Sequence, residues 1–261
     1  MLGVRTVAAT RYVTPLREGG SLPAIIEADD DGMYVLKFRG AGQGPKALAA
    51  ELLAGELARV AGLPVPTIVF AELNPDLART EPDPEIQSLI RASAGVNFAI
   101  DYLPGAVTFD PVTENPSAEL ASAIVWFDAY VMNVDRTPRN PNLLLSEGRL
   151  WLIDHGASLY FHHSWAGAAA SMASPFPPVS DHVLLPRAND LAGAGLELGT
   201  RLASAPFAEL LAAMPDDWLV AGDAPGDPAA TRAAYAKWLA GRLAAAPTFA
   251  AEADRARTAL D

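Results

Sequence analysis

Asn133-Val134-Asp135-Arg136-Thr137-Pro138-Arg139-Asn140-Pro141-Asn142 is followed by two apolar runs, Leu143-Leu144-Leu145 and Leu150-Trp151-Leu152-Ile153, and then by Asp154-His155-Gly156. Ser146-Glu147-Gly148-Arg149 joins the runs, which predicts a tight hairpin. Asp135 and Asn140 stand five positions apart in a polar loop, and Asp154 ends the second run. A loop carboxylate, an amide oxygen and a strand-end carboxylate are the oxygen donors a magnesium ion prefers. The same set suits phosphoryl transfer. That chemistry needs a hydroxyl aligned with a γ-phosphoryl group, and metal to neutralise charge, more than covalent help from protein. Taken singly, each residue has a plainer reading: a turn-capping aspartate, an Asn-Pro turn, a glycine turn after a strand. Their order points to one site.

Upstream, Asn115-Pro116-Ser117 predicts the start of a helix that runs to about Met132, with Leu120, Ile124, Phe127 and Val131 on one face. Trp126, Phe127 and Tyr130 read as core rather than as a cofactor box. Before Pro104-Gly105 the chain reads as strands at 7–13, 23–27, 33–39, 65–73 and 94–103. A helix over 47–61 carries Leu48, Leu52, Leu53 and Leu57 at helical spacing, and a shorter one lies near 85–92. After the hairpin, 164–190 reads as loop, followed by helices at 190–203, 207–214, 229–244 and 249–260. The expected architecture is α+β and two-lobed: a small antiparallel-sheet lobe with one helix over 1–103, and a mainly helical lobe over 104–261. The cleft between them is the natural ligand site.

The 261 residues are 51% hydrophobic and 19% charged, enough apolar content for a globular core. The net charge of -12 repels phosphate backbones, so nucleic acid is not an expected partner. An anion such as ATP would need local cations or metal here. With no cysteine, disulfides, thiolate catalysis and cysteine zinc sites are excluded. The first residues do not resemble a secretory signal, and no uncharged apolar run approaches the roughly 18 residues of a membrane helix. A soluble, cytoplasmic protein without a membrane partner is expected.

The spacing Asp135-x-x-x-x-Asn140, followed by Asp154, resembles the protein-kinase-like superfamily, with His155-Gly156 in place of Phe-Gly. The resemblance implies that Asp135 orients or deprotonates an acceptor hydroxyl and that Asn140 and Asp154 hold Mg²⁺. Lys37, in Val35-Leu36-Lys37-Phe38, is similar to the strand lysine that reaches the α- and β-phosphates of ATP. Glu51, on the next helix, is similar to the glutamate that fixes it. Taken alone, Lys37 could snorkel from a half-buried strand and Glu51 could lie on a solvated face, although Leu48 and Leu52 put it near the packed side. Residues 95–105 are then the hinge, with backbone groups of Asp101, Tyr102 and Leu103 as adenine contacts.

More narrowly, the chain resembles the HipA-like kinase family over roughly 5–190. The similar stretches are Lys37-Phe38-Arg39-Gly40, Gln43-Gly44-Pro45, Leu103-Pro104-Gly105, Asn133-x-Asp135-Arg136-Thr137, Asn140-Pro141-Asn142 and His182-Val183-Leu184-Leu185-Pro186. The family implies transfer of phosphate from ATP to serine or threonine of a protein. A small-molecule kinase of the aminoglycoside or choline type shares the catalytic spacing, and an acidic chain suits a cationic acceptor. A pseudokinase scaffold is the reading from another class. Several features depart from the kinase pattern. Val134 replaces the usual histidine, no Ala-Pro-Glu follows, and no Gly-x-Gly-x-x-Gly is present. Gly19-Gly20-Ser21 and Gly40-Ala41-Gly42-Gln43-Gly44 are the candidate phosphate-covering loops. Arg139 is taken as a catalytic candidate and Arg136 as another possible phosphate fork or acid balance. A structural hydrogen bond is expected of His155, and opposite faces of a strand for His162 and His163.

Overall fold

The computed structural model describes residues 3–16, 22–42 and 44–260. Five strands, β1 (Thr6–Pro15), β2 (Ala24–Ala28), β3 (Met33–Lys37), β4 (Ile68–Leu73) and β5 (Gly95–Asp101), form a barrel in the order β1-β2-β3-β5-β4. Of the five neighbour pairs, four are antiparallel as expected and one is not: β1 meets β4 in parallel, with Thr6, Val7 and Ala8 opposite Phe70, Ala71 and Glu72. That parallel pair closes the expected antiparallel sheet. Closure of so small a barrel requires small inward residues. Ala9, Ala24, Ala71 and Ala99 meet this need, with Val7, Ile26, Tyr34, Leu36, Val69 and Leu73 filling the rest. Successive strand residues face opposite ways, so Ile68, Phe70, Phe98 and Ile100 point out of the barrel into a second core.

Helix α1 (Gly44–Val60) lies on that outer face. Residues Ala47 through Ala58 are all buried, more than the single apolar stripe the spacing predicts. A helix buried all round has neighbours on every side. Here they are β4 and β5 on one flank and three C-terminal helices, α5 (Leu191–Ala203), α6 (Phe207–Ala213) and α7 (Asp216–Leu219), on the other. A short α2 (Pro84–Ala92) bridges β4 and β5. Asp83 caps it, accepting from Glu85 N at 2.9 Å.

The remainder is mainly helical. α3 (Ala118–Val131) is capped by Ser117 and stops where Met132 turns left-handed, at φ 57°. It runs through the second core, where Trp126 meets Phe249 edge-on at 5.2 Å. Strands β7 (Leu143–Ser146) and β8 (Arg149–Leu152) form the expected hairpin, and a two-residue β6 (Val107–Thr108) adds to β7. Glu147 and Gly148 both have positive φ, the conformation that two-residue hairpin turns demand. α4 (Ala168–Met172), α8 (Pro228–Ala244) and α9 (Ala246–Thr258) complete the helices. The stretch read as loop, 164–190, instead contains α4 and three 3₁₀ turns. It buries Phe176, Val179, Val183, Leu184 and Leu185, and that apolar content holds it in the core. Among the described residues no helix is long and apolar enough to cross a membrane.

Candidate active site

Lys37 closes β3. Tyr34 and Leu36 point into the barrel, so alternation turns Lys37 outward, beside α1 and opposite Phe98. There its ammonium pairs with Glu51 of α1 and donates to Asp154 Oδ1 at 2.7 Å, a contact across 117 positions of sequence. Glu51 is 2% exposed, and its second oxygen accepts from the backbone N–H of His155 at 2.9 Å. A buried carboxylate needs such partners. Gly156 lets the chain pass: a Cβ there would stand 2.9 Å from Glu51 Oε1. Burial alone would push Lys37 down, but the two carboxylates outweigh it and hold the ammonium above its ordinary range. Burial pushes Glu51 up, Lys37 only partly offsetting it. Burial also acts to raise Asp154, yet Lys37 prevails and draws that carboxyl below its usual range.

Asp154 follows β8 in a left-handed conformation, φ 54°. Its neighbour Ile153 donates its N–H to Asn142 O at 3.1 Å, so the start and finish of the hairpin meet. Asn142 is buried and also left-handed, φ 49°. Its Nδ2 donates to the backbone and side-chain oxygens of Asp135, each at 3.3 Å. Asn140 lies outside, on an exposed turn whose ends, Thr137 and Asn140, exchange backbone hydrogen bonds of 3.1 Å. Its Nδ2 reaches Asp135 Oδ2 at 2.7 Å. Both amides therefore converge on Asp135, although the resemblance implies a metal role for Asn140.

Arg139 sits at the exposed tip of that turn, without a partner among the described residues. Arg136 turns inward. It is 1% exposed and pairs with Asp128 of α3, while its Nη1 donates to Asn142 O and, at 3.4 Å, to Ile153 O. It is therefore no phosphate fork. One guanidinium ties the Asp135 loop, Asn142 and the residue before Asp154 into a single unit. Asp128 also takes His182 Nε2 at 3.0 Å and Asn133 Nδ2 at 3.1 Å, and Asn133 Oδ1 accepts from Asp135 N. Leu184 N donates to His182 Nδ1, which leaves the proton on Nε2 facing Asp128. Burial would raise the Asp128 carboxyl, but Arg136 and His182 hold it well below the carboxylate range.

Other expectations resolve differently. Neither ring nitrogen of His155 has a partner; the ring is buried edge-on to Phe127, and the residue bonds through its backbone, N–H to Glu51 and carbonyl from Ser158 N. His162 and His163 lie on a 3₁₀ turn, not a strand, with rings 4.6 Å apart. At the hinge, Asp101 N donates to Thr67 O and Tyr102 N to Met33 O, which leaves the Leu103 N–H as the donor of the three without a backbone partner. In the second glycine loop the amides of Gly40, Ala41 and Gly44 all donate within the protein. Gly19-Gly20-Ser21 and Gln43 lie outside the described residues. No group of three or more His, Cys, Asp or Glu side chains suited to a metal occurs among the described residues. The donors gathered here are instead Asp154, Asp135 and the two amides, a set that fits an oxygen-seeking ion sharing its remaining positions with phosphate and water.

A family model described as HipA-like kinase matches residues 10–243. No curated protein matches the sequence. Among solved structures, this one is similar to a Helicobacter pylori proinflammatory kinase, CtkA, at 11% identity and a TM-score of 0.55, over 91% of this chain and 94% of that one. The Golgi casein kinase is also similar, at 12% identity and a TM-score of 0.42. Its Mn/ADP-bound form is similar at 13% and 0.41. Each covers 93% of this chain and 73% of that one. The likeness to CtkA is one of fold, the two-lobed α+β architecture expected from the sequence.

Proposed function

This chain belongs to the HipA-like kinase family, and from that premise we propose an ATP- and Mg²⁺-dependent transfer of the γ-phosphoryl group to a hydroxyl, serine or threonine of a protein being the acceptor. One observation carries the reading: Lys37 is held between Glu51 and Asp154, and Arg136 ties Asp154 to the loop of Asp135.

In this reading the lobes divide at Leu103 and Pro104, with 1–103 above the nucleotide and 104–261 below it. Lys37 binds the α- and β-phosphates, and Glu51 fixes its flexible stem. The Leu103 N–H and nearby hinge carbonyls of Asp101 and Tyr102 face adenine. Asp135 receives the proton of the acceptor hydroxyl at a carboxylate oxygen, and the amides that bond it set its direction. Asp154, with Asn142 and Asn140 as amide candidates, holds the metal. Mg²⁺ bound there supplies charge neutralisation for the phosphates. Arg139, unpaired at its turn tip, reaches toward the transferring group or the acceptor.

The test is radiolabelled γ-phosphate transfer by the wild type, Asp135→Asn and Asp154→Asn to protein hydroxyls and to a panel of cationic small molecules. Transfer should fall by about 10²-fold or more in both variants. Asp135→Asn should still bind nucleotide, and Asp154→Asn should lose the metal dependence of that binding. A wild type that binds Mg-ATP yet phosphorylates no hydroxyl, its own included, overturns the reading. Transfer only to the small molecules moves the acceptor class.

A further inference from the structure

Glu51 reaches Lys37 only because α1 lies where it does, and the C-terminal half of the chain grips α1 along its length. At its start, Lys46 Nζ donates to Asp223 Oδ1 and to His162 O, both at 2.7 Å, and Trp165 N donates to Asp223 Oδ2 at 3.3 Å. α7 also packs on it. Trp218 of α7 is 2% exposed and meets Phe70 of β4 edge-on at 5.8 Å, so one indole touches the wall on which α1 rests. Just past α1, Arg201 donates to Ala61 O at 2.6 Å. Arg39, two residues beyond Lys37, pairs with Asp217 at 3.2 Å and donates to Ala94 O at 2.7 Å. The same short segment, 215–223, thus touches the lysine's strand end, the glutamate's helix and the barrel wall.

We propose that segment 215–223, keyed by Trp218, is a clasp in cis that positions α1 so that Glu51 holds Lys37. The proposal rests on the kinase reading for its catalytic consequence. Packed interiors do not deform smoothly, so losing an indole under a helix shifts the helix rather than thinning the contact. The ionic members of the clasp are weaker holds. Asp217 and Asp223 side chains are 78% and 53% exposed, and solvent screens them. A crevice lined by Arg39, Val96, Pro215 and Trp218 admits that solvent beside the indole. Trp218 Nε1 is buried without a hydrogen-bond partner. The site therefore uses the shape of the ring and not its donor, and phenylalanine should serve there. Trp218 is a positioning residue: it acts through α1.

The experiment compares full-length wild type, Trp218→Ala, Trp218→Phe and Asp223→Asn. Amide hydrogen exchange of α1, the KM for ATP and kcat are measured well below each variant's melting temperature. Trp218→Ala should speed exchange in α1 and lower kcat/KM for ATP on the order of 10- to 100-fold. Trp218→Phe should restore both, and Asp223→Asn should change kcat/KM by about twofold to fivefold. A folded Trp218→Ala with wild-type α1 protection and kcat/KM within about twofold of wild type overturns the clasp. So does a Trp218→Phe no better than Trp218→Ala. If Trp218→Ala does not fold, Asp223→Asn decides: α1 exchange and kcat/KM both indistinguishable from wild type sink the proposal. If the wild type transfers no phosphate, the kinase reading fails while α1 exchange still judges the clasp.

Discussion

Asp128 and Arg136, eight positions apart, pair with side chains that are 1% and 0% exposed, and the Asp135 loop hangs on that pair. Removing one member leaves the other buried and unpaired, a loss of about 3–5 kcal/mol. Asp128→Ala should therefore lower unfolding stability by that amount in urea titrations. Arg136→Lys should not rescue the fold, because an ammonium cannot hold Asp128, Asn142 O and Ile153 O at once. Asp135→Asn, only part-buried, should move stability by less than about 1 kcal/mol. The two aspartates thus separate cleanly, one in denaturation and the other in catalysis.

Lys37→Met should destabilise by about 3 kcal/mol or more, because Glu51 stays buried without its cation. The double variant Lys37→Met/Glu51→Gln should recover most of that loss. Glutamine carries no charge and keeps an oxygen for the His155 N–H. Neither variant should transfer phosphate. Denaturation midpoints set beside transfer rates check both halves, and a double variant as unstable as Lys37→Met contradicts the ion-pair account.

Asn142 and Asn140 can be told apart by metal-dependent nucleotide binding. Asn142 is buried where the hairpin closes on Asp154, and Asn140 rides an exposed turn. Asn142→Gly, which suits the positive φ, should weaken Mg-ATP binding by about tenfold or more, and Asn140→Gly by less than about threefold. Calorimetric titrations with and without Mg²⁺ measure the difference. The opposite order would return the metal role to Asn140.

Stability should fall with acid below about pH 6.5, in part through His162. Burial, with His163 and Lys46 nearby, pushes its imidazole down to about 3 from an ordinary 6.5. The native ring stays neutral where the unfolded one is protonated. The contribution is thus complete above about pH 6.5 and drains away as pH falls towards 3, by up to about 1.4 kcal/mol per pH unit. His155, His163 and His182 are lowered too and add slopes of the same sign. His162→Gln should flatten, not abolish, the dependence of the urea midpoint on pH between 6 and 4. An unchanged slope would contradict the assignment.

The segment from Asn133 to Gly156 was legible as a candidate site because its polar residues keep a fixed order around a hairpin whose turn residues have few alternatives. The pairing of Lys37 with Glu51 was legible through the resemblance, since the strand and helix alone left other readings open. What sequence could not show is tertiary. Asp128 reads as one charge on an apolar helix, and only the packed structure reveals it beneath the loop. Arg136 resembled a phosphate ligand because nothing local says that it turns inward. The parallel meeting of β1 with β4 joins residues 6–8 to 70–72, and no short-range pattern encodes it. α7 is a single turn, too short for periodicity to register, and its packing on α1, with Trp218 against Phe70 of β4, is a tertiary contact. Spacing within α1 identified its helicity but not that both flanks would be covered.

That covering also sets a timetable for biosynthesis. The Arg39–Asp217 contact beside α1 spans 178 positions. At ordinary elongation rates of about 5–20 residues per second, α1 waits roughly 10–40 s on the ribosome before its second flank exists. During that interval a helix rich in alanine and leucine leans on the nascent barrel with its other flank uncovered, and that flank is open to a chaperone.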